Sequence, residues 1–165
     1  MKSRGFSLLE LIIYLAILSI ISVILSASFL SLTRGRAQSE SRTEVNSNIR
    51  FAMERIAQDI STASSIAVPV YAGTSNTLQL IVSGTTVLYS VTAGQLQRTE
   101  GANPADRVTS NTVVVDTPTF TRSDNFNSVL SATTTSVQTV LTMRYNSTSP
   151  EWSYTTTVRG STSMR

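Results

Sequence analysis

The sequence predicts an α+β protein. A long N-terminal helix, one half membrane-spanning and the other amphipathic, packs on a C-terminal antiparallel β-sheet. Three observations lead there. An uncharged apolar run extends from Leu11 to Thr33. Beyond it, Val45, Ile49, Ala52, Met53, Ile56, Ile60 and Ala63 follow the spacing of one helical face. From Tyr71 onward that period gives way to short alternating runs separated by turn residues. A length of 165 residues suits one globular body besides the apolar segment.

Within the first element, 17 of the 23 residues from Leu11 to Thr33 are apolar, and neither Pro nor Gly interrupts them. About 20 helical residues at about 1.5 Å each cross a hydrocarbon core of about 30 Å, so this run has the length of a membrane anchor. Lys2 and Arg4 precede it and Arg34 and Arg36 follow it. With the terminal amine the balance leans to a cytoplasmic N-terminus. Ser22 and Ser26, and Ala27 and Ser31, have the small-xxx-small spacing that lets helices approach closely. Glu10 is the anomaly, a carboxylate among Leu8, Leu9, Leu11 and Ile12. Buried alone in lipid, such a group costs about 2.5–3.5 kcal/mol or more. It therefore either stays wet at the headgroup boundary or meets a cation in an assembly. A competing reading is a secretory signal cut after Ser26-Ala27-Ser28, with the product starting at Phe29. The length of the run and the presence of Glu10 weigh against it.

Residues 6–33 are thus the membrane and assembly segment, and residues 34–68 the amphipathic half of the same helix. Arg50, Glu54, Arg55, Gln58 and Asp59 are expected on its polar face, with Arg55 and Asp59 as an i,i+4 ion pair. The apolar period runs to Ala63, Ser64 and Ser65 fray, and Pro69 ends the pattern. One continuous helix from Phe6 to Ala63 would be about 87 Å long. Residues 69–165 form the β-rich body. Strands are expected at 77–82, 86–91, 94–98, 111–115, 137–145 and 153–158, in one sheet covering the apolar stripe. Residues 119–135 carry the weakest pattern and are expected to be a surface loop. Trp152, Tyr154 and Tyr145 suggest an aromatic cluster.

Composition excludes much chemistry. The chain has no Cys and no His. Disulfides, thiol nucleophiles, Cys-rich zinc sites and imidazole bases are therefore absent. Lys2 is the only lysine, and no acidic dyad or G-x-S-x-G occurs. We therefore expect no enzyme and no cofactor. Asp124, Asn125 and Asn127 are the one weak candidate for Ca²⁺, without the Gly and distal Glu of an EF-hand loop. The basic residues form no cluster of the kind a nucleic-acid footprint needs, so nucleic acid is not expected as a partner.

The stretch Lys2-Ser3-Arg4-Gly5-Phe6-Ser7-Leu8-Leu9-Glu10, set before the long apolar run, resembles the processing motif of type IV prepilins and pseudopilins. The resemblance implies a leader of residues 1–5. A prepilin peptidase would cleave after Gly5, and Phe6, the new N-terminal residue, would be N-methylated. It also implies that the Glu10 carboxylate docks on the N-terminal amine of an adjacent subunit, as Phe6 and Glu10 share a helical face. Without its leader the chain keeps 11 basic and 10 acidic side chains, a net charge of +1. The implied partners are the peptidase/methylase, other pilin or pseudopilin subunits, an inner-membrane assembly platform and the lipid bilayer. The implied location is the bacterial cytoplasmic membrane, with the body outside the cytoplasm, and then a pilus or pseudopilus. Arg50–Ile60 (RFAMERIAQDI) resembles J-type minor pseudopilins and W-type minor pilins more loosely. Major pilins of that family often carry Pro or Gly in the membrane half and a C-terminal disulfide; this chain has neither, so the resemblance implies a minor subunit.

Overall fold

The computed structural model of the chain describes residues 8–129 and 131–165, leaving undescribed the side chain of residue 132. Helix α1 (Leu8–Thr62) runs unbroken through Gly35. Its 55 residues make a rod about 83 Å long at about 1.5 Å per residue. Every residue from Leu8 to Arg36 is exposed. From Ala37 onward one face is covered: Ala37, Ser41, Val45, Ile49, Ala52, Ile56, Asp59 and Ile60 are buried. The helix is thus half bare rod and half core element, as its sequence predicts.

The helix stops at Thr62, earlier than its apolar period suggests, and Ala63–Val68 form strand β1. Locally, the Ser61 and Thr62 hydroxyls donate to the Gln58 carbonyl (2.8 and 3.0 Å) and satisfy the fraying end. Val68 precedes Pro69, which disfavours helical backbone. The segment pairs antiparallel with β3, burying Ala63 and Ile66. The expected helical half at 34–68 is thus corrected at its C-terminal end.

The body contains two sheets rather than the single one expected. The first has the order β1-β3-β4-β5-β6, built from β1, β3 (Leu78–Val82), β4 (Thr85–Thr92), β5 (Gln95–Glu100) and β6 (Asp106–Arg107). Its hairpins turn at Ser83-Gly84 and Ala93-Gly94, with φ of 50° and 79°, and 52° and 74°. Left-handed backbone at both central residues gives a turn whose twist matches that of the strands. The second sheet has the order β10-β9-β8-β2. It comprises β2 (Thr74–Ser75), β8 (Thr119–Asn127), β9 (Ala132–Tyr145) and β10 (Thr155–Ser163). β7 (Val113–Val115) pairs with the C-terminal end of β9. A 3₁₀ turn, Pro150–Trp152, precedes β10.

The expected surface loop at 119–135 is instead the β8–β9 hairpin, paired from Thr119↔Val140 to Asn127↔Ala132. The segment is rich in Thr and Ser and its distal half is exposed, so no apolar alternation marks it. Thr favours extended backbone, and the ladder itself supplies the pairing.

The core lies between the helix stripe and the two sheets. Val45, Ile49, Ile56 and Ile60 meet Leu78, Leu80, Val87, Tyr89 and Leu96 from the first sheet and Phe120, Val137, Leu141 and Met143 from the second. Burying each large aliphatic side chain contributes about 1.5–3 kcal/mol.

Candidate assembly and processing site

Gly5 and Phe6 lie outside the described residues. Glu10 sits in the first turn of α1, exposed among Leu8, Leu9, Leu11, Ile12 and Ile13. All large apolar side chains from Leu8 to Leu32 are likewise exposed, the most covered of them, Ile21, at 47%. By length and composition this part of α1 can cross a membrane, and none of it is covered by the body. The helix also satisfies its own hydroxyls. Ser19 Oγ donates to the Leu15 carbonyl (2.7 Å), Ser26 Oγ to Ser22 (2.8 Å) and Thr33 Oγ1 to Leu30 (2.9 Å). These bonds remove the penalty that a bare hydroxyl meets in hydrocarbon. The row of small residues that starts at Ala27 and Ser31 continues through Gly35 and Ser39, leaving a shallow groove along the rod.

Polar contacts couple the rod to the body along its covered face. Arg34 Nε lies 3.2 Å from Glu151 Oε1. The Arg42 guanidinium sits 5.7 Å from the centre of the Tyr154 ring. Glu44 Oε1 accepts hydrogen bonds from Thr112 Oγ1 (2.7 Å), Ser110 Oγ (3.1 Å) and Asn48 Nδ2 (3.0 Å). Asn48 Oδ1 in turn accepts from the Ser110 amide (2.9 Å). The last contact is the most buried. Asp59 Oδ2 accepts from Tyr89 Oη at 2.6 Å and from Arg98 Nε at 2.7 Å, and Arg98 Nη1 reaches Glu100 Oε2 at 2.5 Å.

Asp59 therefore does not lie on the polar face with Arg55 as a partner. It is 5% exposed and bonded to the first sheet. A signal was present, because Val45, Ala52 and Asp59 are seven apart and so share a stripe. Burial, then the Asp59 carboxylate, push the Tyr89 phenol well above its ordinary range. Burial pulls the Arg98 guanidinium down, but its bonds to Asp59 and Glu100 more than reverse this.

Of the weak Ca²⁺ candidates, Asp124 and Asn125 are successive residues of β8, so their side chains leave opposite faces of the strand. The Asp124 side chain is 2% exposed and bound by Arg122 Nε at 2.8 Å and by the Thr135 hydroxyl. Arg122 also donates to the Ile66 carbonyl (2.9 Å), tying the hairpin to β1. Asn127 Oδ1 accepts from the Val129 amide. The three residues are thus not gathered about one point.

Both carboxylate clusters give a pH dependence. The Thr112 hydroxyl, opposed by partial burial and helped by Ser110 and Asn48, holds Glu44 below its ordinary 4.5. Burial raises Asp124, but Thr135 and Arg122 overcome it and hold the group below 3.8. A depressed folded pKa means the unfolded chain binds protons first as acid is added. The stabilisation is thus complete above the ordinary values and lost as pH falls below about 4.5 and through the lowered ones. Denaturant midpoints measured across that range should fall with acid, and Glu44→Gln should flatten the dependence. An unchanged slope in Glu44→Gln would remove Glu44 from this linkage.

The fold defines an α+β class of pilin-like architecture: one long N-terminal helix, its first half bare, with a β-sheet body on its second half. Residues 1–26 match the prokaryotic N-terminal methylation motif. No curated protein and no solved structure matches the chain. The chain thus carries the N-terminal signature of type IV prepilins and pseudopilins, and that signature indicates prepilin-type processing and membrane anchoring. It also implies assembly with other pilin-type subunits, a structural role rather than an enzymatic one.

Proposed function

We propose that the protein is a minor structural subunit of a type IV pilus-like or type II secretion-like filament. In this reading it enters the cytoplasmic membrane with its body on the far side. It is then cut between Gly5 and Phe6, methylated, and drawn from an assembly platform into a helical bundle. One observation carries the reading: a methylation motif runs directly into a rod half whose apolar surface the body leaves uncovered. That surface needs lipid before assembly and neighbouring rods after it. Phe6 and Glu10 stand four residues apart, so an amine at Phe6 and the Glu10 carboxylate of a neighbour can pair and set the axial register. Glu10 favours a position within the filament rather than at its extreme tip. The function requires no cofactor.

The test is intact mass and N-terminal sequencing of the protein from cells that have a prepilin peptidase. The expected product begins with methylated Phe6 and loses that processing in Gly5→Val. A product beginning at Phe29, or an uncut chain, supports instead a membrane-anchored or exported β-rich binding domain.

A further inference from the structure

The 3₁₀ turn lies beside the point on α1 where the uncharged run ends. Its Glu151 contacts Arg34, the first residue after the uncharged run. The hydrocarbon core therefore ends within one arginine side chain of this turn. The headgroup layer is about 5–7 Å deep on each side, which places the turn inside that layer while α1 spans a bilayer.

Residues at this level suit that environment. Trp152 is half-buried and stacks on Tyr145, with ring centres 5.5 Å apart. Tyr154 lies beneath Arg42, eight helical residues or about 12 Å beyond Arg34, and so above this level. Arg34 offsets Glu151, the one acid of the turn, and Arg36, about 3 Å further along and on the opposite side of the rod, is exposed to the same layer. The turn thus presents an aromatic edge, and Arg36 leaves the rod net basic at this level. Trp and Tyr concentrate at membrane–water boundaries, and Arg beside a membrane segment attracts anionic headgroups. The Arg34–Glu151 pair has side chains 64% and 50% exposed, and a pair so solvated adds little to folding. It marks the height of the turn on the rod.

We infer that the 3₁₀ turn Pro150–Trp152, with Arg34 and Arg36, is a phospholipid-headgroup contact that seats the body on the bilayer before assembly. This rests on the membrane-anchored reading above. Trp152 is the only tryptophan, so its fluorescence reports this site alone.

The full chain is reconstituted in vesicles of phosphatidylethanolamine and phosphatidylglycerol and floated on a density gradient. Nitroxides are placed on the headgroup or midway down the acyl chain, and iodide is added to the water. The expected result is that the chain floats. Trp152 should lose more emission to the headgroup nitroxide than to either other quencher. Arg36→Glu should lower that loss in the anionic vesicles and not in phosphatidylcholine alone. A floating chain whose Trp152 is quenched by iodide and spared by the headgroup nitroxide overturns the contact and leaves the anchor intact. A chain that does not float overturns the anchor, and the contact with it. Equal headgroup quenching in Arg36→Glu and the unaltered chain removes the arginine from the contact.

Discussion

Asp59→Ala should destabilise the body by about 3–5 kcal/mol, the range for breaking a buried ion pair from one side. The Arg98 side chain is 12% exposed and would lose its buried partner, keeping only Glu100 at the surface edge. The Tyr89 hydroxyl, on a residue with no exposed surface, would lose its acceptor. A domain holds about 5–15 kcal/mol in all, so the loss is a large share of the total. Denaturant unfolding of the detergent-solubilised chain measures it. Phe51→Ser, on the exposed outer face of α1, should stay within about 0.5 kcal/mol and controls for changes to the helix. Removing all three polar groups with Asp59→Leu, Arg98→Met and Tyr89→Phe should recover much of the loss, because apolar groups of similar volume need no partner. A cost below about 1 kcal/mol for Asp59→Ala would mean that water reaches Arg98 and the cluster is not what joins helix to sheet.

The second large effect is on assembly. Glu10→Ala should leave insertion and cleavage intact and abolish incorporation into filaments. Taking a carboxylate out of the apolar stretch makes insertion easier, by as much as about 2.5–3.5 kcal/mol if the group would sit at mid-membrane. The same change removes the partner for a neighbour's terminal amine, and with it the contact that selects axial register. Glu10→Gln keeps size and hydrogen bonding but drops the charge, so it should fail in the same way. The measurement is the ratio of processed subunit in sheared filaments to that in the membrane fraction. Normal incorporation of Glu10→Ala would refute the assembly role, while loss of cleavage would move Glu10 to peptidase recognition.

The legible parts of the molecule share a physical origin. An unbroken apolar run, a 3.6-residue stripe and turn residues between alternating runs are local signals. They predict the bare rod, the covered face from Val45 to Ile60, most of β3, β4, β5, β7 and β9, and only the first four residues of β10. The misplaced parts depend on partners distant in sequence. Ala63 still fits the helical period, yet β3 offers residues 63–68 a ladder. The hairpin at 119–135 has little apolar alternation because its far half rises beyond the core. The second sheet is organised by β9, whose 14 residues pair with β8 along most of their length, with β7 at the end and with β10 on the other edge.

The amino-acid sequence alone determined the processing motif, the membrane-length helix with its out-of-place Glu10, and the face the body would cover. These depend on residue types at short fixed spacings, which backbone geometry converts directly into faces and lengths. Only the tertiary structure decided that Asp59 turns inward to Arg98 and Tyr89, 39 and 30 residues away. It alone set the 3₁₀ turn beside Arg34, across 117 residues of chain. A charge on a helix surface has no preferred partner until the sheets are in place, and it is their packing that removes the water which would otherwise solvate it.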